Sequence, residues 1–317
     1  MLTCVEICAG GGGQALGLEA AGFESQALVE IDSACCDTLR YNRPAWNVIE
    51  GDVKDFSGRP YKGVDLLAGG VPCPPFSKAG KQLGKDDERD LFPQALRLIG
   101  EIKPQAVMLE NVRGFLDPKF ESYRAMLRTE LSKLGYQVVW KLLNASDYGV
   151  SQLRPRVVIV ALARNKGQFF PWPAKNEKLP LTVGRLLLQK MSANGWLRAG
   201  EWADRANGIA PTIVGGSKKH GGPDLGPTRA RDAWKKLGVN GKSIADSAPE
   251  RDFIGMPRLT VDMVANIQGF PDDWHFTGKK TQAYRQVGNA FPPPVAAAVA
   301  RRIKACLLGE NTFALTA

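Results

Sequence analysis

The first 163 residues alternate between short apolar runs and longer amphipathic stretches, and no other feature restricts the possible folds as strongly. The stretches at 91–102 and 123–134 have the apolar spacing of helices. Strands that alternate with helices of this length form a parallel sheet covered by helices on both faces. The sequence therefore predicts a doubly wound α/β fold, in which ligands bind at the carboxyl ends of the strands. The runs expected to form strands are 3–7, 27–31, 64–68, 106–110, 138–143 and 157–163.

The chain changes character between residues 164 and 250. Gly and Pro become frequent, periodicity fades, and four of the seven tryptophans occur there, which indicates a smaller, loop-rich second domain. This segment carries 15 Lys and Arg against 7 Asp and Glu, so most of the net charge of +10 lies within it. A basic excess confined to one segment favours a polyanionic partner, although a solvated lysine-rich surface has the same composition. The α/β pattern returns near Arg258 and ends in an expected helix at 294–308.

Several kinds of protein and site are disfavoured by composition. No apolar run approaches the roughly 20 residues that a membrane span needs, and the first residues lack the basic-then-apolar pattern of a signal peptide. We therefore expect no membrane association and a cytoplasmic location. The six cysteines include no C-x-x-C pair, and only two histidines are present, so we expect neither disulfides nor a metal site.

A glycine-rich loop follows the first expected strand and precedes a helical stretch at 15–21. Such a loop suits a dinucleotide, a nucleotide or S-adenosylmethionine, and it also occurs as a tight turn without a ligand. Glu30 ends the second strand at about the distance where an acid binds ribose hydroxyls, and Asp52 follows the third element, where it could accept from an adenine amino group. Two such acids favour an adenosyl cofactor, and the lack of a clean G-x-G-x-x-G pattern disfavours NAD.

Cys73 lies among three prolines in a stiff loop after the fourth strand. A cysteine held in this way is better suited to presenting a thiolate than to filling a core, although buried cysteines are normally small hydrophobic residues. Glu110 ends the fifth strand at the same sheet edge, where burial could keep it protonated. Arg154 and Arg156 alternate in an extended segment and are expected to project from one side of it, unless each forms a structural salt bridge.

The order of these motifs resembles that of the DNA cytosine-5 methyltransferase family over nearly the whole chain. Two positions depart from the family pattern, because Cys8 stands where Phe is common and Pro74 where Gln is frequent. The matching motifs are the glycine loop, Pro72-Cys73, Glu110-Asn111-Val112, Gln152-x-Arg154-x-Arg156, Gln268-Gly269-Phe270-Pro271 and the segment Tyr284 to Ala290.

The resemblance implies an enzyme that uses S-adenosylmethionine, leaves S-adenosylhomocysteine and acts on flipped cytosines in double-stranded DNA as a monomer. It implies catalytic roles for Cys73, Glu110, Arg154 and Arg156, of which Cys73 is the covalent nucleophile. The implied cofactor-binding residues are Cys8, Ala9, Gly10, Gly12, Gly13, Glu30, Ile31, Asp52, Val53, Leu91, Asn289 and Ala290. The implied substrate-binding residues are Pro72, Ser77, Asn111, Gln152 and Thr212.

The expected organisation is a Rossmann-like catalytic domain at 1–163 and 285–317, with a target-recognition domain at 164–284. The length without further domains suits a bacterial or phage modification enzyme better than a eukaryotic maintenance enzyme, and a bacterial enzyme would associate with the nucleoid. Three alternatives stay open: a tRNA cytosine-5 methyltransferase of the same fold, a nicotinamide oxidoreductase with a redox cysteine, and a non-catalytic DNA-binding relative.

Overall fold

A seven-stranded sheet organises the first of two units in the computed structural model, which describes residues 1–72, 90–164, 170–216 and 222–310. The first unit comprises Met1–Leu143, Pro155–Ala174 and Val295–Ala317. The second unit comprises Asn144–Arg154 and Lys175–Pro294. The domain boundaries expected from the sequence, and the assignment of 164–284 to target recognition, stay predictions. No helix in the described ranges is long and apolar enough to cross a membrane.

The sheet has the strand order β3-β2-β1-β4-β5-β7-β6, which confirms the doubly wound α/β fold. The pairs β1–β2, β1–β4, β2–β3 and β4–β5 are parallel, whereas β7 is antiparallel to β5. The connection from β6 to β7 contains only the single 3-10 turn Ala145–Tyr148, which is too short for the crossover that a parallel strand requires. The strands are β1 (Leu2–Ile7), β2 (Phe23–Glu30), β3 (Val48–Glu50), β4 (Leu66–Gly70), β5 (Ala106–Val112), β6 (Tyr136–Asn144) and β7 (Pro155–Ala163).

Helices of the first unit pack on the sheet through apolar faces. In α3 (Phe92–Ile102), Phe92, Leu98 and Ile102 are buried in the core cluster. Burial of each such side chain contributes about 1.5–3 kcal/mol. Asp90 accepts from the Phe92 backbone N–H at 3.0 Å and from the Tyr123 hydroxyl at 2.6 Å, so it caps α3 and joins it to α4. The other helices here are α1 (Gly13–Ala20), α2 (Ser33–Asn42), α4 (Glu121–Lys133) and most of α10 (Pro293–Leu308).

The second unit is built around short helices and four buried tryptophans, Trp196, Trp202, Trp234 and Trp274. The helices α5 and α6 pack so closely that a Cβ at Gly184 would overlap the Ala203 carbonyl group. The segment expected to be loop-rich therefore contains helices, but long irregular stretches such as 237–260 separate them. These helices are short, which weakens their periodicity in the sequence. They are α5 (Val183–Met191), α6 (Ala199–Arg205), α7 (Thr228–Lys236), α8 (Val261–Gln268) and α9 (Lys280–Asn289).

Candidate active site

The glycine loop leads from β1 into α1 through a left-handed backbone. The φ angles are 53° at Cys8, 55° at Gly10 and 88° at Gly12. Glycine adopts this region without strain, whereas a residue with a side chain adopts it at a cost, so Cys8 is held there by its surroundings. A Cβ at Gly10 would have no heavy atom within 4 Å, so the loop faces open space at this point. The predicted cofactor-loop residues Cys8, Ala9, Gly10, Gly12 and Gly13 are all in this turn.

Glu30 ties the glycine loop to the end of β2. Its Oε2 accepts from the Gly10 N–H at 2.7 Å, and its Oε1 accepts from the N–H groups of Ile31 and Asp32 at 2.9 and 2.8 Å. A carboxylate has about four acceptor positions, and these contacts occupy three of them. The carboxylate that the sequence assigned to a ribose contact is thus a scaffold for the loop, with one acceptor position still open.

The ends of β2 and β3 carry the other predicted cofactor contacts of this unit. Ile31 is 66% exposed at the carboxyl end of β2, an unusual place for a large apolar side chain. Asp52 follows β3 and accepts from the Lys54 N–H at 2.9 Å. Val53 is buried in the core cluster and Leu91 packs half-buried against that cluster, and their expected cofactor contacts stay predictions.

Carboxylates dominate the electrostatics of this loop. Burial raises the pKa of the Cys8 thiol, and the charges of Glu30, Asp52 and Glu6 raise it further. Burial, with a smaller effect from Glu30, also raises the pKa of Glu6 well above its usual value. The surroundings therefore favour a cationic ligand and oppose an anionic pyrophosphate. The Cys8 thiol is unreactive here, because a nucleophilic cysteine needs a lowered pKa.

The carboxyl ends of β4 and β5 are joined by Asn111. Its Nδ2 donates to the Val71 carbonyl at 3.0 Å, and its Oδ1 accepts from the Val112 N–H at 2.8 Å. Asn111 is buried, and through its hydrogen bond to Val71 it holds the residue directly before the exposed Pro72. Cys73 and Ser77 lie outside the described residues, and their predicted roles stay predictions.

Glu110 and Arg156 form an ion pair at the same sheet edge. The Arg156 Nε lies 2.8 Å from Glu110 Oε1, and the two side chains are only 14% and 12% exposed. Burial lowers the pKa of Arg156, and Glu110 counteracts that effect. The expectation that burial keeps Glu110 protonated stays a prediction. Glu110 Oε2 lies beside the end of β4, 3.6 Å from where a Cβ would stand at Gly70.

Gln152 is fully buried in the second unit and has protein partners at both ends of its amide. Its Nε2 donates to Gln268 Oε1 at 2.5 Å, and its Oε1 accepts from the Ile213 N–H at 2.9 Å. Gln268 Nε2 donates in turn to the Ala290 carbonyl at 2.6 Å. The buried amide therefore supports this unit from within, which differs from the substrate contact expected from the sequence.

Arg154 is also fully buried, and it donates to the carbonyls of Ile213, Gly288 and Ala290 at 2.6, 2.8 and 3.0 Å. Its partners differ from those of Arg156 because β7 begins at Pro155, so the alternation of a strand does not extend back to Arg154. The expectation that the two arginines project from one side of an extended segment is therefore corrected, and the catalytic role expected of Arg154 stays a prediction. Gln152, Arg154 and Gln268, with the backbone groups they bind, are called the polar node below.

Two further predicted residues border the polar node. The Thr212 hydroxyl donates to the Leu153 carbonyl at 2.5 Å. Asn289 is exposed at the end of α9, and its Nδ2 lies 3.5 Å from the Gly216 carbonyl. The predicted roles of Thr212 in substrate binding and of Asn289 and Ala290 in cofactor binding stay predictions.

Sequence reasoning left Glu6 and Gln268 without roles. Glu6 is a carboxylate inside an otherwise apolar strand, and Gln268 ends an α8 face that includes the buried Val264 and Ile267. In both elements, a polar residue at a position where the pattern predicts an apolar one could have indicated a role. Among the described residues, no cluster of His, Cys, Asp and Glu could hold a metal ion.

Comparison with known sequences identifies relatives along the whole chain. The sequence profile of the family described as C-5 cytosine-specific DNA methylase matches residues 2–305. The Type II methyltransferase M.NgoMIV of Neisseria gonorrhoeae is 59% identical over 98% of this chain and 99% of its own length. The Type II methyltransferase M.NaeI of Lentzea aerocolonigenes is 55% identical over 98% of this chain and 76% of its own.

Solved structures share the fold at much lower identity. A DNA modification methyltransferase encoded within an E. coli prophage has a TM-score of 0.69 at 21% identity, covering 97% of this chain and 100% of its own. A mutant of Spodoptera frugiperda DNMT2 has a TM-score of 0.67 at 18% identity, covering 96% of this chain and 100% of its own. At these identities the likeness concerns the fold alone.

Proposed function

The chain belongs to the C-5 cytosine-specific DNA methylase family, and from that premise we propose that it transfers a methyl group from S-adenosylmethionine to C5 of a flipped-out cytosine in a specific duplex DNA sequence. The transfer proceeds through a covalent bond between Cys73 and C6 of the base. One observation carries the proposal: the carboxylate-rich glycine loop and the Glu110–Arg156 pair lie at the carboxyl edge of one sheet. Since the relatives are Type II methyltransferases, we assign it a restriction-modification or orphan modification role in the bacterial cytoplasm, at the nucleoid.

The residues around the glycine loop fit S-adenosylmethionine. Glu30 has an acceptor position for a ribose hydroxyl, Asp52 offers an acceptor for the adenine amino group, and exposed Ile31 offers an apolar surface for the purine face. The carboxylates that raise the pKa of Cys8 favour a ligand with a positive sulfonium and ammonium over a dinucleotide. When bound, this cofactor supplies the electrophilic methyl group.

The Cys73 thiolate activates the base. Cytosine C5 is a poor nucleophile in the aromatic ring, and addition of the thiolate to C6 converts the C5 edge into a nucleophilic enamine. Protonated Glu110 donates its proton to N3 of the base, which stabilises the charge that develops during the addition, and takes the proton back on elimination. After methylation, the C5 proton passes to water and Cys73 leaves by elimination, which restores the thiolate and the aromatic ring.

Arg156 acts beside Glu110 in this scheme. It fixes one oxygen of the carboxylate through Nε, and its planar fork of donors suits the carbonyl oxygen of the base. Asn111 holds the Val71 carbonyl and thereby sets the path of the chain toward Pro72 and Cys73. Arg156 and Asn111 therefore position other groups of the site, in addition to the contacts with the base proposed for them.

The target cytosine must leave the helix stack before any of these groups can reach it. Base flipping costs a few kcal/mol, which favourable phosphate contacts offset. The basic segment at 164–250 supplies cations for such contacts. Binding to DNA is therefore expected to weaken steeply as salt rises.

The test is methyl transfer from S-adenosylmethionine to unmethylated duplex DNA, read by bisulfite sequencing. Cytosines protected at one short motif are the expected result. Cys73→Ala should bind DNA and cofactor but transfer no methyl, and the matched Cys306→Ala control, on α10, should retain activity. Turnover by Cys73→Ala would overturn the covalent step. Label on tRNA in place of DNA would assign the chain to RNA modification, and transfer to neither would leave a DNA-binding role.

A further inference from the structure

A strongly basic helix, α7, stands out in the second unit. It carries Arg229, Arg231, Lys235 and Lys236 within nine residues, against the single acid Asp232. Elsewhere in this unit, Lys175, Lys190 and Lys280 each pair with a carboxylate. Within the part of the chain that the structure describes, none of the four α7 cations forms an ion pair, and Arg231 only contacts the Thr228 hydroxyl at 3.4 Å. The positive charge of α7 is therefore not neutralised internally.

Packing fixes which face of α7 meets solvent. Trp234 is fully buried and anchors the helix. A helix turns about 100° per residue, so Arg229 and Lys236 lie opposite Trp234 and Lys235 lies at its side. All three are exposed. A buried anchor on one face and cations on the other give a fixed, positively charged surface.

The loop after α7 extends this surface. A Cβ at Gly241 would lie 3.3 Å from the Arg231 Cγ, so the loop packs directly on the helix. The next residue, Lys242, is exposed and adds a fifth cation beside α7. Asp224, an acid in the loop before α7, accepts from the Gly226 N–H at 2.8 Å within its own turn.

The stability of α7 explains why a cation is favourable at only two of its four basic positions. Lys235 and Lys236 lie in the last turn, where positive charge interacts favourably with the helix dipole. Arg229 lies in the first turn, which contains no acid, and a cation there is unfavourable by about 0.3–1 kcal/mol. An external anion explains its presence better than the helix does.

We propose that the exposed face of α7, with Lys242, contacts the phosphate backbone of the DNA substrate and positions the duplex independently of its sequence. The inference rests on the proposed function in taking DNA as the substrate. Arginine and lysine on a helix face are typical phosphate contacts, and such contacts orient a protein on the duplex without reading bases. Sequence recognition then belongs to other parts of the second unit.

The test measures DNA affinity against salt for wild type and for the triple variant Arg229→Gln, Lys235→Gln, Lys236→Gln. Each lost phosphate contact lowers the log–log salt slope by about 0.9. Raising the salt from about 50 to about 200 mM weakens DNA binding by a certain factor. Loss of three contacts should make that factor roughly 40-fold smaller for the variant than for wild type. Binding to duplexes with and without the methylated motif should weaken by the same factor. The matched control, Lys175→Gln, Lys190→Gln, Lys280→Gln, removes equal charge from paired lysines and should change the slope much less.

Equal loss of slope in both triple variants, or no loss in either, would overturn the proposal. Single variants, each expected to change the slope by about 0.9, decide the matter if the triple variant does not fold. Arg229→Gln should leave the chain as stable or slightly more stable, since it removes an unfavourable charge from the helix start. Binding is measured without methyl transfer, so failure of the proposed reaction would be recognised separately.

Discussion

Replacing Glu30 by Gln tests whether one carboxylate both builds the glycine loop and binds the cofactor. A glutamine side chain has one acceptor oxygen and one donor group, whereas the Glu30 carboxylate accepts from three backbone N–H groups. The least costly arrangement keeps the oxygen toward Ile31 and Asp32 and turns the amide NH2 toward the Gly10 N–H. Two donors then face each other where a 2.7 Å hydrogen bond stood.

The size of the effect follows from these contacts. A hydrogen bond to a charged acceptor contributes about 1.5–3 kcal/mol, and the two retained bonds weaken once the acceptor is neutral. Relief of repulsion with Glu6 offsets part of the loss. We therefore expect Glu30→Gln to lower the free energy of unfolding by about 2–4 kcal/mol. The loss of one charged ribose contact should weaken S-adenosylmethionine binding roughly 10- to 100-fold.

The assay combines urea unfolding with calorimetric titration of the cofactor. Asp52→Ala is the matched control, because its carboxylate accepts only a local turn N–H and its loss should change stability by less than about 1 kcal/mol. That control should still weaken cofactor binding. A Glu30→Gln protein as stable as wild type would refute the scaffold role, and unchanged cofactor affinity would refute the ribose contact.

Three other substitutions test the packing and charges described above. Gly184→Ala should destabilise the chain by more than about 3 kcal/mol in urea unfolding, because its Cβ overlaps a carbonyl, whereas Gly200→Ala, with open space around it, should be neutral or stabilising. Burial raises the pKa of Glu6, so the folded chain keeps a proton that the unfolded chain loses above pH 4.5, and stability falls as pH rises from there to the folded pKa. Glu6→Gln should remove this dependence. The free energy of unfolding of the variant minus that of wild type should therefore rise with pH, by at most about 1.4 kcal/mol per pH unit. A difference in stability that does not change with pH would contradict the reasoning. Arg156→Leu should cost about 3 kcal/mol by removing the guanidinium that faces the buried Glu110 carboxylate, and the double substitution with Glu110→Leu should recover most of that stability without methyl transfer.

The central strands of the sheet were largely predictable because they are mostly buried. Runs such as 3–7 and 106–110 are largely apolar, with carboxylates at Glu6 and at the terminal Glu110, which distinguishes them from half-exposed strands. Strand ends in a parallel sheet lie at one edge, so the sequence also located Glu30, Asp52 and Glu110. The direction of β7 was not predictable from its composition, since parallel and antiparallel strands use the same apolar residues.

The polar node could not be foreseen for a different reason. Gln152 and Gln268 are 116 residues apart, and their contact depends on how the second unit closes. Local periodicity carries no information at that separation. The same limit explains why Arg154 and Arg156 were expected to act together, although β7 begins between them.

The polar node also determines when the chain can finish folding during its synthesis. Arg154 needs the carbonyl of Ala290, which is made 136 residues later. At typical translation rates of about 5–20 residues per second, the guanidinium waits about 7–27 s for that acceptor. The first unit likewise includes Val295–Ala317, so neither unit is whole until the ribosome has passed residue 294. The two units therefore cannot be completed one after the other as the chain emerges, because segments on both sides of residue 294 are needed for the first unit.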